Sequence, residues 1–120
     1  MDKPEQSCVV RLADAAARIP NRALEHAVTL LERGTLRVLL SLPTAPNEQR
    51  PHLQDELYVV VRGRGVLVHD GKRDSFEAGD LMFVAAGNDH HFEEFTDDLA
   101  VWVIFFGPQG GEVAGSHGRW

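Results

Sequence analysis

Turn-forming residues divide the second half of the chain into short, evenly spaced apolar runs, and this spacing constrains the fold most. Gly and Asp recur between these runs. Asp70-Gly71 favours a tight hairpin, because both turn positions tolerate positive φ. Many short strands at even spacing indicate a sandwich or barrel. We therefore predict an all-β fold with strands at Glu56–Val61, Val66–His69, Ser75–Phe76, Leu81–Val84, His90–Phe95 and Leu99–Phe106.

The N-terminal part of the chain has a different pattern. Apolar residues at helical spacing before Pro20 predict a short amphipathic helix over about Val9–Ile19. Two apolar runs, Ala27–Leu31 and Thr35–Leu42, flank a turn sequence and favour a hairpin. A helix over Leu24–Leu31 remains the alternative.

Length and composition favour one domain. A chain of 120 residues with 43% hydrophobic content can bury one core, and it is too short for two ordinary domains. We expect an N-terminal segment with a short helix (1–26), a single barrel (27–106) and a loosely held, Gly-rich tail (107–120).

Charge and cysteine content exclude several functions. The net charge of −6 leaves no contiguous positive surface for nucleic acid or anionic lipid. Cys8 is the only cysteine, so an internal disulfide and a thiolate zinc site are both excluded. The longest apolar run, Leu99–Phe106, is far shorter than the ~20 residues of a membrane span. No signal-peptide core is present at the N-terminus, so we expect a cytoplasmic protein.

One predicted strand carries a polar face. Side chains alternate along a strand, so His52, Gln54, Glu56 and Tyr58 share one face while Leu53 and Asp55 point the other way. A carboxylate inside a barrel is costly unless it is paired or binds a cation. With a further His from the Asn88–His91 region, this face would hold two imidazoles and a carboxylate. Such a set suits first-row transition metals.

Two separated motifs resemble the two signatures of the cupin family. In the first, G-x5-H-x-H-x3,4-E-x6-G, His52, Glu56 and Gly63 keep their places, whereas Arg50 holds the place of the first histidine. In the second, G-x5-P-x-G-x2-H-x3-N, the matching residues are Gly79, Gly87 and His90, with Ala85 and Glu94 replacing the usual proline and asparagine.

The resemblance covers about Leu36 to Phe106. It implies a single cupin-like jelly-roll β-barrel with a short N-terminal helical segment, which commonly dimerises. It also places His52, Glu56 and His90 at the family's metal-ligand positions. Cupins include dioxygenases, isomerases, lyases and ligand-sensing modules, so the fold alone does not choose the chemistry.

Each candidate residue also has a simpler explanation. His52 is either a metal ligand or a surface histidine, and Gln54 is an additional ligand, a group that orients Glu56, or polar lining. Tyr58 is a candidate catalytic group, but together with Met82, Phe92 and Trp102 it also suits barrel lining. Arg50 has no lone pair for a metal, so it attracts an anionic substrate or projects into solvent. His91 faces outward if His90 faces inward.

These observations lead to one leading function and one alternative. We expect a divalent transition metal (Fe, Mn, Ni, Co, Cu or Zn) bound by His52, Glu56 and His90, acting on a small polar molecule in a dioxygenase, isomerase or lyase reaction. The alternative is a non-catalytic module that binds or senses a small molecule. We also expect a homodimer, because both faces of Leu99–Phe106 are apolar and one barrel can cover only one of them.

Overall fold

The computed structural model describes residues 7–47, 49–113 and 115. The part of the chain that it describes forms one short helix and eight strands. The helix is α1 (Leu12–Ala17), and the strands are β1 (Ala27–Arg33), β2 (Leu36–Ser41), β3 (Asp55–Arg62), β4 (Arg64–His69), β5 (Lys72–Glu77), β6 (Leu81–Val84), β7 (His90–Glu93) and β8 (Ala100–Phe106).

Two antiparallel sheets pack face to face. Sheet A has the strand order β1-β2-β8-β3-β6, and sheet B has the order β5-β4-β7. The central position of β8, which pairs with β2 and β3, confirms the prediction for the last apolar run. The all-β barrel fold with a short helix is likewise confirmed. The inner faces of both sheets bury one main cluster: Tyr58, Val60, Leu67, Phe76, Met82, Val84, Phe92, Leu99, Val101, Val103 and Phe105.

A second apolar cluster lies on the outer face of sheet A, under α1. Ala15 and Ile19 pack there against Leu40, Leu42 and Ala100. Trp102 joins this outer cluster, so its predicted place in the barrel lining is wrong. The reason is strand parity: Val101 and Val103 enter the main cluster, and the residue between them must face the other way.

The N-terminal elements agree with the sequence only in part. The helix is confirmed but shorter than predicted, because it spans Leu12–Ala17 and leaves Val9 and Val10 exposed. β1 and β2 form the expected hairpin, with Arg33 opposite Leu36. The alternative of a helix over Leu24–Leu31 is therefore wrong.

Strand lengths depart from the prediction in both directions, and local backbone explains why β7 is shorter. β7 ends at Glu93 instead of Phe95, because Glu94 adopts a φ of +53°. β5 extends over Lys72–Glu77, well beyond the predicted Ser75–Phe76. The turn between β4 and β5 has positive φ at Asp70 (+50°) and Gly71 (+77°), as expected for this hairpin.

The start of the predicted loose tail is held to the barrel. Gly110 donates its N–H to the carbonyl of Leu53 at 2.7 Å, and Glu112 donates its N–H to Oδ2 of Asp55 at 2.8 Å. The expectation of a loosely held tail is therefore wrong for residues 107–112. Residues 114 and 116–120 lie outside the described part of the chain.

Gly63→Ala should destabilise the fold more than Gly79→Ala. Both glycines have positive φ, +85° and +96°, and so both substitutions carry the left-handed penalty of about 1–2 kcal/mol. A Cβ at Gly63 would also lie 2.8 Å from the Cα of Leu99, whereas nothing lies within 4 Å at Gly79. We expect about 1–3 kcal/mol of additional loss for Gly63→Ala in urea unfolding. Equal losses of unfolding free energy in the two variants would contradict the close packing at Gly63.

Candidate metal centre

Three polar side chains reach the same point inside the barrel from three different segments. Glu56 lies on β3, and its side chain is only 2% exposed. His90 begins β7 in the opposite sheet, and its side chain is fully buried. His52 precedes β3, and its carbonyl accepts a hydrogen bond from the N–H of Gly87 at 2.8 Å. That bond joins the loop before β3 to the loop before β7.

The three side chains are close enough to share one ion. Oε1 of Glu56 lies 3.2 Å from Nε2 of His90 and 3.9 Å from Nε2 of His52. One ligand atom from each residue lies within 4.8 Å of the others, and the described residues contain no other such group of His, Cys, Asp or Glu. The buried Oε1 of Glu56 has no hydrogen-bond partner. A buried carboxylate oxygen without a partner carries a large desolvation cost, which a cation would offset.

Hydrogen bonds and ring contacts orient the two imidazoles. Nδ1 of His90 lies 3.0 Å from the carbonyl oxygen of Asn88, which can only accept. The proton therefore resides on Nδ1, and Nε2 faces Glu56. The His52 ring packs edge-on against Phe105, with ring centres 4.7 Å apart. The neutral form of each imidazole can then offer a lone pair to a metal.

The environment shifts the pKa values of the two imidazoles in opposite directions. Burial lowers the pKa of His52, and this outweighs the raising effect of Glu56. Burial also acts to lower the pKa of His90, but the Glu56 carboxylate and the Asn88 carbonyl more than offset it and leave that pKa raised above 6.5. His90 is therefore the imidazole that holds its proton to higher pH.

Tyr58 lies beside the three residues and makes two polar contacts. Its hydroxyl donates to Oε1 of Gln49 at 2.8 Å and lies 3.1 Å from Nε2 of His90. Burial and the Glu56 charge raise the pKa of Tyr58, so the hydroxyl stays protonated at ordinary pH. The sequence reasoning did not identify Gln49, because this residue lies in a loop without any strand pattern.

Gln54 and Asp55 have neighbours that the alternation did not indicate. Nε2 of Gln54 donates to the carbonyls of Thr35 (2.9 Å) and Gly107 (2.8 Å). The side-chain amide therefore ties two backbone segments together and makes no hydrogen bond to Glu56. Asp55 points away from the cluster as expected, yet it is buried and accepts the N–H groups of Ala86 and Glu112.

Two neighbouring candidates, Arg50 and His91, are not part of the three-residue cluster. Arg50 is exposed. His91 faces outward, as predicted, and Nε2 of its ring lies 2.7 Å from Oε2 of Glu93.

Solvent reaches the cluster from the side of His52. The His52 side chain is 36% exposed, in contrast to its two partners. It lines a concavity of about 400 Å³, here called the rim pocket, together with Arg37, Gln54 and Phe105. A larger depression of about 630 Å³ runs along the β7 edge of sheet B, but none of the three clustered residues lines it.

The architecture defines a small two-sheet β-barrel with two imidazoles and a carboxylate gathered inside it. The family model for the Cupin domain matches residues 38–106, more than half of the chain. This chain therefore belongs to the cupin family. Among the described residues, no helix has the length and apolarity needed to cross a bilayer.

Comparisons with individual proteins support the fold. The uncharacterized protein SCO3923 of Streptomyces coelicolor is 36% identical over 63 residues, which span 52% of this chain and 60% of that protein. A cupin-2 domain protein from Shewanella frigidimarina has a TM-score of 0.63 and 17% identity, covering 80% of this chain and 92% of its own. The DMSP lyase DddQ of Ruegeria pomeroyi has a TM-score of 0.60 and 17% identity, covering 70% and 48%. These structural likenesses establish the fold alone.

Glu56→Gln should lower the pKa of His90 in the metal-free protein. The substitution removes the carboxylate that raises this pKa and leaves the lowering effect of burial. Imidazole resonances followed by NMR across a pH titration measure the change. Glu77→Gln is the matched control, because Glu77 is opposite Arg64 at the far end of sheet B, whereas His90 is opposite His69. An unchanged His90 titration in Glu56→Gln would contradict the pairing described here.

Proposed function

We propose that this cupin binds one divalent transition metal through His52, Glu56 and His90 and uses it to act on a small polar molecule. The observation that carries the proposal is the buried Oε1 of Glu56, which has no hydrogen-bond partner and lies near two imidazole nitrogens. Two nitrogens and one oxygen are donors that Fe, Mn, Ni, Co, Cu and Zn accept. Three protein ligands also leave coordination positions for a substrate.

The proposed reaction is that of a dioxygenase, an isomerase or a lyase. A bound metal would supply Lewis-acid polarisation of a substrate oxygen or activation of dioxygen. Tyr58 would act as a protonated hydroxyl beside His90, since its pKa is raised, and would donate to a substrate only by giving up its hydrogen bond to Gln49. Gln54 would help to shape the pocket wall through its two backbone contacts. A neighbour described as a lyase is consistent with such chemistry on this fold, as an analogy only.

The second candidate function is binding without turnover. One observation favours it: the hydroxyl of Tyr58 already donates its proton to Gln49, so the nearest candidate acid–base group is not free. In that case a bound molecule would leave the protein chemically unchanged. Mass spectrometry of the molecules recovered after incubation with metal-loaded protein separates the two functions.

We further propose a cytoplasmic homodimer. An exposed, unpaired Cys8 fits a reducing compartment. The helix α1 packs over Ala100 and Trp102, so the outer face of β8 does not itself require a second subunit, but an apolar area remains near the β6 edge of sheet A. Leu81 and Phe83 are 64% and 54% exposed there, and by strand register they are opposite Val59 and Leu57. A second copy of the chain is the proposed cover for this area, the β6 patch.

Removal of either imidazole should weaken metal binding. We expect His52→Ala and His90→Ala each to lower the affinity for Co²⁺ by more than about a hundredfold, because even outer-shell partners typically account for 10–100-fold. Gln54→Ala should lower the Co²⁺ affinity by less than about tenfold, since the amide nitrogen of Gln54 already donates to two backbone carbonyls. Competition titrations with circular dichroism of each variant measure this. An unchanged Co²⁺ affinity in both histidine variants would refute the metal site.

The double variant Leu81→Thr, Phe83→Thr should be a monomer. Threonine keeps the strand propensity of β6 but removes the apolar surface proposed to hold the dimer. Light scattering should give twice the 13.3 kDa chain mass for the parent protein and the single mass for the variant. Leu24→Thr, at a site 85% exposed and outside the β6 patch, should stay dimeric. A parent protein that is monomeric at every concentration would end the proposal.

A further inference from the structure

The rim pocket contains a cation beside the candidate metal ligands. Arg37 lies on β2 with the same parity as Leu39, which packs against the main core. Its side chain therefore extends on the barrel side of sheet A. The guanidinium carbon lies 4.9 Å from the centre of the Phe105 ring, and the His52 ring packs on that same ring. Arg37 and His52 are thus brought together in one concavity by Phe105.

Arg37 has no acidic partner among the residues that line the rim pocket. The residues that line the concavity include amides, a threonine and apolar groups, but no acidic side chain. None of the ion pairs among the described residues involves Arg37. Glu32 is opposite Arg37 in the β1–β2 register, but the two side chains do not form an ion pair. A half-buried guanidinium in such a setting favours an incoming anion.

Access to the cluster runs past this cation. Of the three clustered side chains only His52 is appreciably exposed, and the rim pocket is the concavity that His52 lines. A small molecule that approaches the cluster through this opening therefore meets Arg37. The volume of about 400 Å³ lies within the usual range for small-ligand pockets.

We propose that the rim pocket binds a small carboxylic acid, with its carboxylate on Arg37 and a neighbouring hydroxyl or carbonyl oxygen directed toward His52 and the candidate metal. The planar guanidinium can pair with both oxygens of a carboxylate. The metal end of this arrangement rests on the function proposed above, whereas the carboxylate end rests on Arg37 and the pocket alone.

Glycolate and its neutral analogue glycolamide test the proposal. Calorimetric titrations with both compounds are made on the protein with Co²⁺ and on the metal-free protein. We expect glycolate to bind at least about tenfold more tightly than glycolamide to the Co²⁺ form, and to keep a weaker preference in the metal-free form. Arg37→Gln should remove the preference in both forms, and Arg37→Lys should keep part of it.

The controls separate the carboxylate site from the metal site and from general charge. Arg33→Gln removes the same charge from the exposed end of β1, outside the rim pocket, and should leave the preference intact. The Co²⁺ affinity of Arg37→Gln should stay within about twofold of the parent or increase, because a nearby cation is lost. If no Co²⁺ binds, the proposed metal function fails. The titrations of the metal-free protein then still show whether Arg37 causes the preference for glycolate. Equal binding of the two compounds, or an unchanged preference in Arg37→Gln, would overturn the proposal.

Discussion

A carboxylate buried between two sheets is the constraint around which this barrel is arranged. Glu56 lies on β3 of sheet A, and the imidazole that approaches it most closely, His90, comes from β7 of sheet B. The cost of burying that charge has to be offset by groups from both sheets. The surrounding loops serve the same end, because the bond from Gly87 to His52 brings the second imidazole to the carboxylate. The packing of the two sheets and the assembly of the candidate site therefore depend on the same contact between Glu56 and His90.

Strand parity explains most of what could be predicted from the sequence. The alternation around Glu56 and Tyr58 placed both on the inner face, and the Asp70-Gly71 turn fixed the β4–β5 hairpin. The same rule failed for Trp102, where size and apolarity suggested lining although its neighbours occupy the inner face. Parity is thus most reliable when it is applied to a whole strand and least reliable when one large side chain is considered alone.

Contacts between distant loops could not be predicted from the sequence, because no periodicity marks them. Gln49 reaches Tyr58 from an irregular segment, and Gln54 bonds to carbonyls on two other segments. Arg37 is a single charged position in a leucine-rich strand and carries no motif of its own. Its relation to His52 depends on Phe105, which is far away in sequence and adjacent only after β2 pairs with β8. These contacts form only in the folded barrel, so the sequence pattern does not indicate them.

The glycine-rich segment after β8 packs closely against the barrel. Gly111 has a φ of +91°, and a Cβ there would lie 2.8 Å from Oδ1 of Asp55 and 3.2 Å from the Cβ of Ala86. Asp55, which is next to Glu56 on β3, in turn accepts N–H groups from Ala86 and Glu112. The missing side chain is what permits this contact, so glycine here gives proximity instead of mobility. A side chain added at Gly111 would therefore disturb β3 next to Glu56, although Gly111 is far from Glu56 in sequence.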